Sequence, residues 1–305
     1  MTTAKKLREI SIVAPWQACD AVENFLRDAG ALGVSIEQDA SDRATEKVRA
    51  YFPANKPPDK IETSVLNYIN AIKAFFPSGH AWDFKTRLLD DEVWQERWKQ
   101  FFHPIRVTPN IVVKPTWEPF QPTGGEIILT IDPGMAFGTG LHATTRLCLE
   151  SIEREIEQRA AQNHTRRNRF VSLLDVGTGS GILAIAAALL GARPVLGIDR
   201  DPTAVEVAGE NVRRNRVEGI VHIGMERLEA IDQRFDLVVA NIDLTTLIQL
   251  KEALADRVGR GGGLILSGVL EEQADALAQA FWNQGLRWTG TQNREEWNCL
   301  IFERL

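Results

Sequence analysis

Apolar and polar positions follow two rhythms along this chain, and the change falls near residue 105. In LREISIV (7–13), Ile10 and Ile12 alternate with Glu9 and Ser11, which predicts a strand. Pro15 then opens a helix whose apolar positions Ala18, Val22, Phe25, Leu26 and Ala29 recur at helical spacing before Gly30. ALGVSIEQ (31–38) and EKVRAYF (46–52) predict two strands around the polar turn SDRAT. A second helix is expected from about 59 to 76, with Ile61, Val65, Ile69, Ile72 and Phe76 on one face. AWDFKTRLL (81–89) closes as a strand. The order βαββαβ is that of a ferredoxin-like α+β domain, assigned to residues 1–90.

Residues 91–104 hold Trp94, Trp98, Phe101 and Phe102 at i, i+4, i+7 and i+8, an apolar helical stripe that stops before Pro104. Such a helix either docks on one domain through its aromatics or links two domains that reorient around a substrate. From Ile105 to Leu305 strands and helices alternate. FVSLLDVG (170–177), PVLGID (194–199), FDLVVANI (235–242) and GLILSGV (263–269) are apolar runs followed by helical stretches, the pattern of a doubly wound α/β sheet. LRWTG (286–290) and EEWNCLIFE (295–303) predict a terminal hairpin. Segments 115–125 and 132–145 are turn-rich, and the polar stretch 153–169 reads as an exposed helix end and loop.

At 305 residues the chain exceeds what one core comfortably fills, so two domains are the default. Hydrophobic residues at 44% and charged residues at 25% are ordinary for a globular protein. The net charge of −6 argues against nucleic acid as the main partner. Cys19, Cys148 and Cys299 are scattered, without metal-ligand spacing, and read as reduced thiols. No His/Cys cluster suggests a metal. The N-terminus lacks an apolar run after its basic residues, and the longest apolar stretch, Ile182–Leu190, is far shorter than the roughly 20 residues that cross a bilayer. No membrane association and a cytoplasmic location are therefore expected; oligomeric state leaves no signal.

The strongest local chemistry lies at Gly177-Thr178-Gly179-Ser180-Gly181, between a strand and the helix ILAIAAALL. Alternate glycines let backbone approach a ligand, and the helix N-terminus offers free N–H groups. The spacing G-x-G-x-x-G of a nicotinamide site fails, because Ile182 stands at the third glycine position. A G-x-G-x-G loop suits a ligand without a pyrophosphate, such as S-adenosylmethionine. Asp199 ends the next strand, placed to accept both ribose hydroxyls, while Asp201 before Pro202 is the better helix cap. Asp175 is either structural or reaches the ligand's ammonium through water.

Residues 132–145, DPGMAFGTGLHATT, resemble the signature DPGxAFGTGxHxTT of the PrmA family, the methyltransferases of the large-subunit ribosomal protein L-eleven (L11). WQERWKQFFHPIRV and Ala240-Asn241-Ile242 are similar to that family too. The resemblance implies a seven-stranded methyltransferase sheet behind an N-terminal ferredoxin-like domain that grips a protein substrate, with residues 91–104 as linker. It implies cofactor contacts at Thr145, Gly177, Asp199 and Asn241, with Phe137, Gly138 and Thr139 folding over the methionine end. Gly179, Gly181 and Asp175 complete the cofactor set. Family members methylate lysine ε-amino groups and an N-terminal α-amino group. Leu141, Ala143 and Asp243 depart from the family pattern; Asp243 lies next to the expected acceptor pocket.

Asn241, at a strand end, is the candidate catalytic residue, an acceptor for the N–H bonds of the attacking amine. His142 is either a proton acceptor or a packing element of the signature loop. Residues 90–305 carry 23 Lys/Arg against 30 Asp/Glu, a net −7 that favours a basic protein substrate. Competing expectations are a lysine methyltransferase of another protein, such as an electron-transfer flavoprotein subunit, and a non-catalytic S-adenosylmethionine-binding protein.

Overall fold

In the computed structural model, strand β1 (Leu7–Pro15) pairs antiparallel with β3 (Thr45–Pro53) on one side and β4 (Asp83–Leu89) on the other. The structure describes residues 7–31, 33–38, 45–53, 58–73, 82–89, 103–132, 142–163, 170–282 and 284–305. The chain divides into two compact units, Met1–Phe102 and His103–Leu305.

In the first unit β2 (Gly33–Gln38) flanks β3, giving the sheet order β2-β3-β1-β4. Alternation along the strands sends Ile10, Ile12 and Ala14 of β1, with Val48, Ala50 and Phe52 of β3, to one face, all fully buried. Helices α1 (Trp16–Asp28) and α2 (Pro58–Lys73) cover that face with Ala18, Val22, Leu26, Ile61, Val65 and Ile69. On the other face Glu9, paired in register with Arg87, accepts hydrogen bonds from Arg87 Nε at 2.8 Å and Nη2 at 3.0 Å. The element order βαββαβ matches the ferredoxin-like expectation. The aromatic stripe at 94–102 lies outside the described residues.

The second unit is built on a seven-stranded sheet, formed by β8 (Leu173–Val176), β9 (Val195–Ile198), β10 (Val221–Gly224), β11 (Phe235–Asn241), β12 (Val258–Leu270), β13 (Leu286–Arg294) and β14 (Trp297–Arg304). Their order is β10-β9-β8-β11-β12-β14-β13, parallel through β12 and antiparallel beyond it. The central strands are apolar on both faces because both are covered. Leu173, Leu237 and Val239 face helices α3 (Ala143–Asn163) and α4 (Ile182–Leu189). Leu174, Val238 and Ala240 face α6 (Leu244–Gln249), α7 (Lys251–Arg257) and α8 (Ala274–Trp282). Helix α5 (Pro202–Arg214) connects β9 to β10. The direction of strand addition reverses between β8 and β11, and a doubly wound sheet binds ligands at the carboxyl ends beside such a switch point.

The helix end expected in 153–169 is present as far as Asn163, more buried at its start than expected, and two further features depart from the sequence reading. Segment 153–163 is the continuation of α3, with Ile152 and Ile156 in the core and Glu153 accepting from Asn110 Nδ2 at 2.9 Å. Its polar letters belong to the outer face of a one-sided helix. Strand β10 was not anticipated, because VHIG offers only two apolar positions. A small sheet of β5 (Ile105–Arg106), β6 (Ile111–Lys114) and β7 (Ile127–Thr130) precedes the main one, its Ile111, Val113 and Leu129 joining the same core as α3 and α4. Among the described residues no helix is long and apolar enough to cross a membrane.

Candidate functional site

The loop from Gly177 to Gly181 leaves β8 at the switch point. Gly177, Gly179 and Gly181 have φ of 76, 56 and 80°, left-handed backbone that side chains resist. At Gly177 the space is closed as well, since a Cβ there would lie 2.6 Å from Ile242 Cγ2. The loop is pinned to β9 by Gly177 and Thr178 N–H groups that both donate to Ile198 O, at 2.9 and 3.0 Å. Gly181 caps α4 without a side-chain acceptor. The first N–H groups of α4 are therefore left to other partners.

Asp175, at 0% exposure, accepts from Thr178 Oγ1 at 2.6 Å. Burial pushes its carboxyl up to about 7, and the Thr178 hydrogen bond only partly opposes this. Its Oδ2 thus braces the loop, while its Oδ1 is buried with no partner among the described residues, so the geometry fits both the structural role and the ligand contact. Asn211, fully buried on α5, donates from Nδ2 to Ser180 O at 2.9 Å and braces the loop from its other side. Asp199 follows β9. Its Oδ2 accepts from Gly179 N at 2.9 Å and its Oδ1 from Asp201 N at 3.0 Å. The capping of α5 falls to Asp201, which accepts from Thr203 N at 2.8 Å, as expected.

Asn241 ends β11, one residue beyond the Ala240–Val176 pairing with β8, so it stands beside the start of the glycine loop. Among the described residues its Oδ1 is buried without a hydrogen-bond partner, and so is Thr145 Oγ1 in the first turn of α3. An orphaned buried acceptor costs about 1–3 kcal/mol, a cost a bound donor removes. His142 meets Thr144 Oγ1 through Nδ1 at 2.7 Å and packs edge-on to Trp297 with centroids 5.0 Å apart. That arrangement anchors the start of α3 and favours the packing role. Asp243 caps α6: Oδ1 accepts from Thr246 N at 3.0 Å and Oδ2 from Thr246 Oγ1 at 2.6 Å, bonds that hold its carboxyl below the usual range. Both oxygens are thus engaged in capping. Phe137, Gly138 and Thr139 lie outside the described residues.

The structure thus brings Gly177, Gly179, Gly181, Asp199 and Asn241 to the carboxyl ends of neighbouring strands. Sequence reasoning missed Thr178 and Asn211. The second had a signal, a polar residue on the face shared by Ala204, Ala208 and Val212.

The family model described as "Ribosomal protein L11 methyltransferase (PrmA)" matches residues 6–305. The chain belongs to this family. A ribosomal protein L11 methyltransferase of Geobacter sulfurreducens is 40% identical over 308 aligned positions, covering 98% of each chain. Another, of Syntrophotalea carbinolica, is 37% identical over 96% of this chain and 97% of its own. The crystal structure of a ribosomal protein L11 methylase from Lactobacillus delbrueckii subsp. bulgaricus superposes with TM-score 0.59 at 32% identity, covering 67% of this chain and 99% of that one. The chain is a methyltransferase, and S-adenosylmethionine is its methyl donor. The residues present fit that donor. The glycine loop carries no side chain where a ligand backbone approaches, Asp199 keeps acceptor capacity beyond its two N–H bonds, and three buried oxygens, on Thr145, Asp175 and Asn241, have no partner among the described residues.

Proposed function

We propose that this enzyme methylates amino groups of ribosomal protein L11, lysine ε-amino groups and the N-terminal α-amino group. The observation that carries the reading is the orphaned Asn241 Oδ1, a buried acceptor at the end of β11 beside the glycine loop. An oxygen there accepts from the N–H of an incoming amine and turns its lone pair toward the reacting carbon. Bound S-adenosylmethionine supplies an electrophilic methyl group, so the protein's own task is positioning and the control of protons.

That control matters because a lysine of pKa about 10.4 is neutral only about once in 10³ at pH 7, a handicap of roughly 4 kcal/mol. A site at the rim of an apolar sheet disfavours the ammonium form, and an acceptor without a charge binds the neutral amine without stabilising the cation as a carboxylate does. Asn241 meets that requirement; Asp243, a carboxylate, does not. Asp199 holds the ribose, Thr145 and the glycine loop receive the amino-acid end, and the exposed Met225 beyond β10 offers an apolar surface to the adenine. Residues 1–90 serve recognition of the protein substrate, residues 91–104 link, and residues 105–305 carry the chemistry.

The experiment is mass spectrometry of a ribosomal extract incubated with the enzyme and isotope-labelled S-adenosylmethionine. Label on lysines of L11 is expected. Label confined to another protein overturns the substrate assignment, and label on carboxyl or hydroxyl groups overturns the amine chemistry. A chain limited to residues 103–305 is expected to bind the donor yet methylate intact L11 poorly.

A further inference from the structure

Ile242 is wedged between two glycines, Gly177 in the loop after β8 and Gly268 in β12. Its side chain reaches the glycine loop, where Cγ2 occupies the place a Cβ on Gly177 would need, 2.6 Å away. Its main chain lies against Gly268 of β12. A Cβ on Gly268 would press on the Ile242 carbonyl oxygen and would stand 2.9 Å from the carbonyl carbon and 3.1 Å from the nitrogen. These are backbone atoms, which cannot rotate aside. Gly268 also has φ of 88°, and the β12–β14 register shifts between Ser267 and Val269, so it is the extra residue of a bulge.

Asn241 immediately precedes this wedge and is paired in register with Ser267. Among the described residues its Oδ1 has no partner, and the neighbouring Ser267 Oγ is committed to Asn298 O at 2.8 Å. The backbone of residues 241–242 therefore sets the point from which that carboxamide extends. We propose that Gly268 is a positioning residue for methyl transfer: its bare bulge admits the Ile242 main chain, Ile242 braces against Gly177, and Asn241 Oδ1 is thereby held at a fixed height above the donor loop. The same contact ties amine placement to the donor loop, so the two reacting partners share one mechanical reference. An error of about 1 Å in such a reference costs turnover on the order of a hundredfold without a comparable loss of binding.

The inference rests on Asn241 as the amine's acceptor, and a double-variant series separates the two. Gly268→Ala, Asn241→Ala and the double variant are assayed with saturating S-adenosylmethionine and purified L11, well below each unfolding midpoint. Gly268→Ala is expected to lower kcat at least about tenfold, with KM for L11 and the donor Kd changed by less than about threefold. Added to Asn241→Ala, it is expected to cost less than about twofold more, because the residue it positions is gone. Wild-type turnover in Gly268→Ala overturns the proposal, as does a full, additive loss in the double variant. Near-wild-type turnover in Asn241→Ala removes the acceptor itself, a separate result from additivity. If Gly268→Ala does not fold, Ile242→Ala replaces it in the same cycle, and the same non-additive fall in kcat is required.

Discussion

The backbone N–H of Gly179 donates to Asp199 Oδ2 at 2.9 Å, which joins the donor loop after β8 to the carboxylate after β9. Asp199 is thus a tether with acceptor capacity to spare. Its oxygens spend one acceptor site each on Gly179 and Asp201, and a carboxylate has about four, which leaves one apiece for two ribose hydroxyls.

Replacing Asp199 by Ala removes the tether and the proposed ribose contacts. Hydrogen bonds to a charged acceptor contribute roughly 1.5–3 kcal/mol, so S-adenosylmethionine affinity should fall on the order of 10- to 150-fold. Asp199→Asn keeps one oxygen and should lose less. Titration calorimetry checks this, and unchanged affinity in Asp199→Ala takes the residue out of the site.

Asp243 gives the contrasting case, an acidic residue next to Asn241 that serves the fold. Asp243→Ala leaves the first turn of α6 uncapped and should cost about 1 kcal/mol of stability. Turnover at saturating substrates should stay within about threefold of wild type. Urea unfolding beside steady-state kinetics tests the pair of expectations. A large fall in kcat at unchanged stability reassigns Asp243 to the acceptor pocket.

The sequence exposes the central strands because burial on both faces makes them continuous apolar runs; LLDV, VLGI and FDLVVAN needed no tertiary knowledge. Strand β10 is an edge with His222 turned to solvent, so its four residues leave a weak trace. The β5–β7 sheet depends on partners distant in sequence. Asn215, at the end of α5, accepts from Thr130 N and donates to Thr130 O, both at 2.8 Å, in place of a neighbouring strand. At the site, the glycine spacing and Asp199 were legible because loop geometry dictates residue type locally. The Asn211 brace and the Ile242 wedge were not, since each follows from which strands are neighbours and where a bulge falls.

Asp175 makes stability depend on pH in a definite direction. Its carboxyl titrates near 3.8 when unfolded and at about 7 when folded. The folded state holds the proton more tightly, so its contribution is complete below about pH 4 and is lost as pH rises to about 7. Asp175→Asn keeps an acceptor for Thr178 and has no proton to lose. The stability of wild type relative to Asp175→Asn should therefore fall by roughly 1.4 kcal/mol per pH unit between pH 4.5 and 7, then level off. Denaturant midpoints at pH 5, 6, 7 and 8 measure the difference. A constant difference across that range means the carboxyl is already ionised in the folded protein.

Asn241→Ala probes the chemistry itself. If Oδ1 holds the attacking amine, its contribution is made mainly in the transition state, so kcat should fall more than substrate binding weakens. The substitution also removes a proposed contact to the methyl donor, so S-adenosylmethionine affinity is measured separately and saturated in the assay. At saturation the expected loss is about 10²-fold, close to 2.7 kcal/mol, the scale of removing one well-placed polar group from an active site. Raising the pH from 7 to 9 increases the neutral amine in both proteins, yet it should leave most of the gap between them, because more free base does not aim a lone pair. Full recovery at high pH would mean that Asn241 acts on the protonation of the amine rather than its orientation. Near-wild-type turnover at pH 7 with donor saturating would make Asn241 only the end of a strand, and the amine's N–H bonds would then fall to backbone carbonyls.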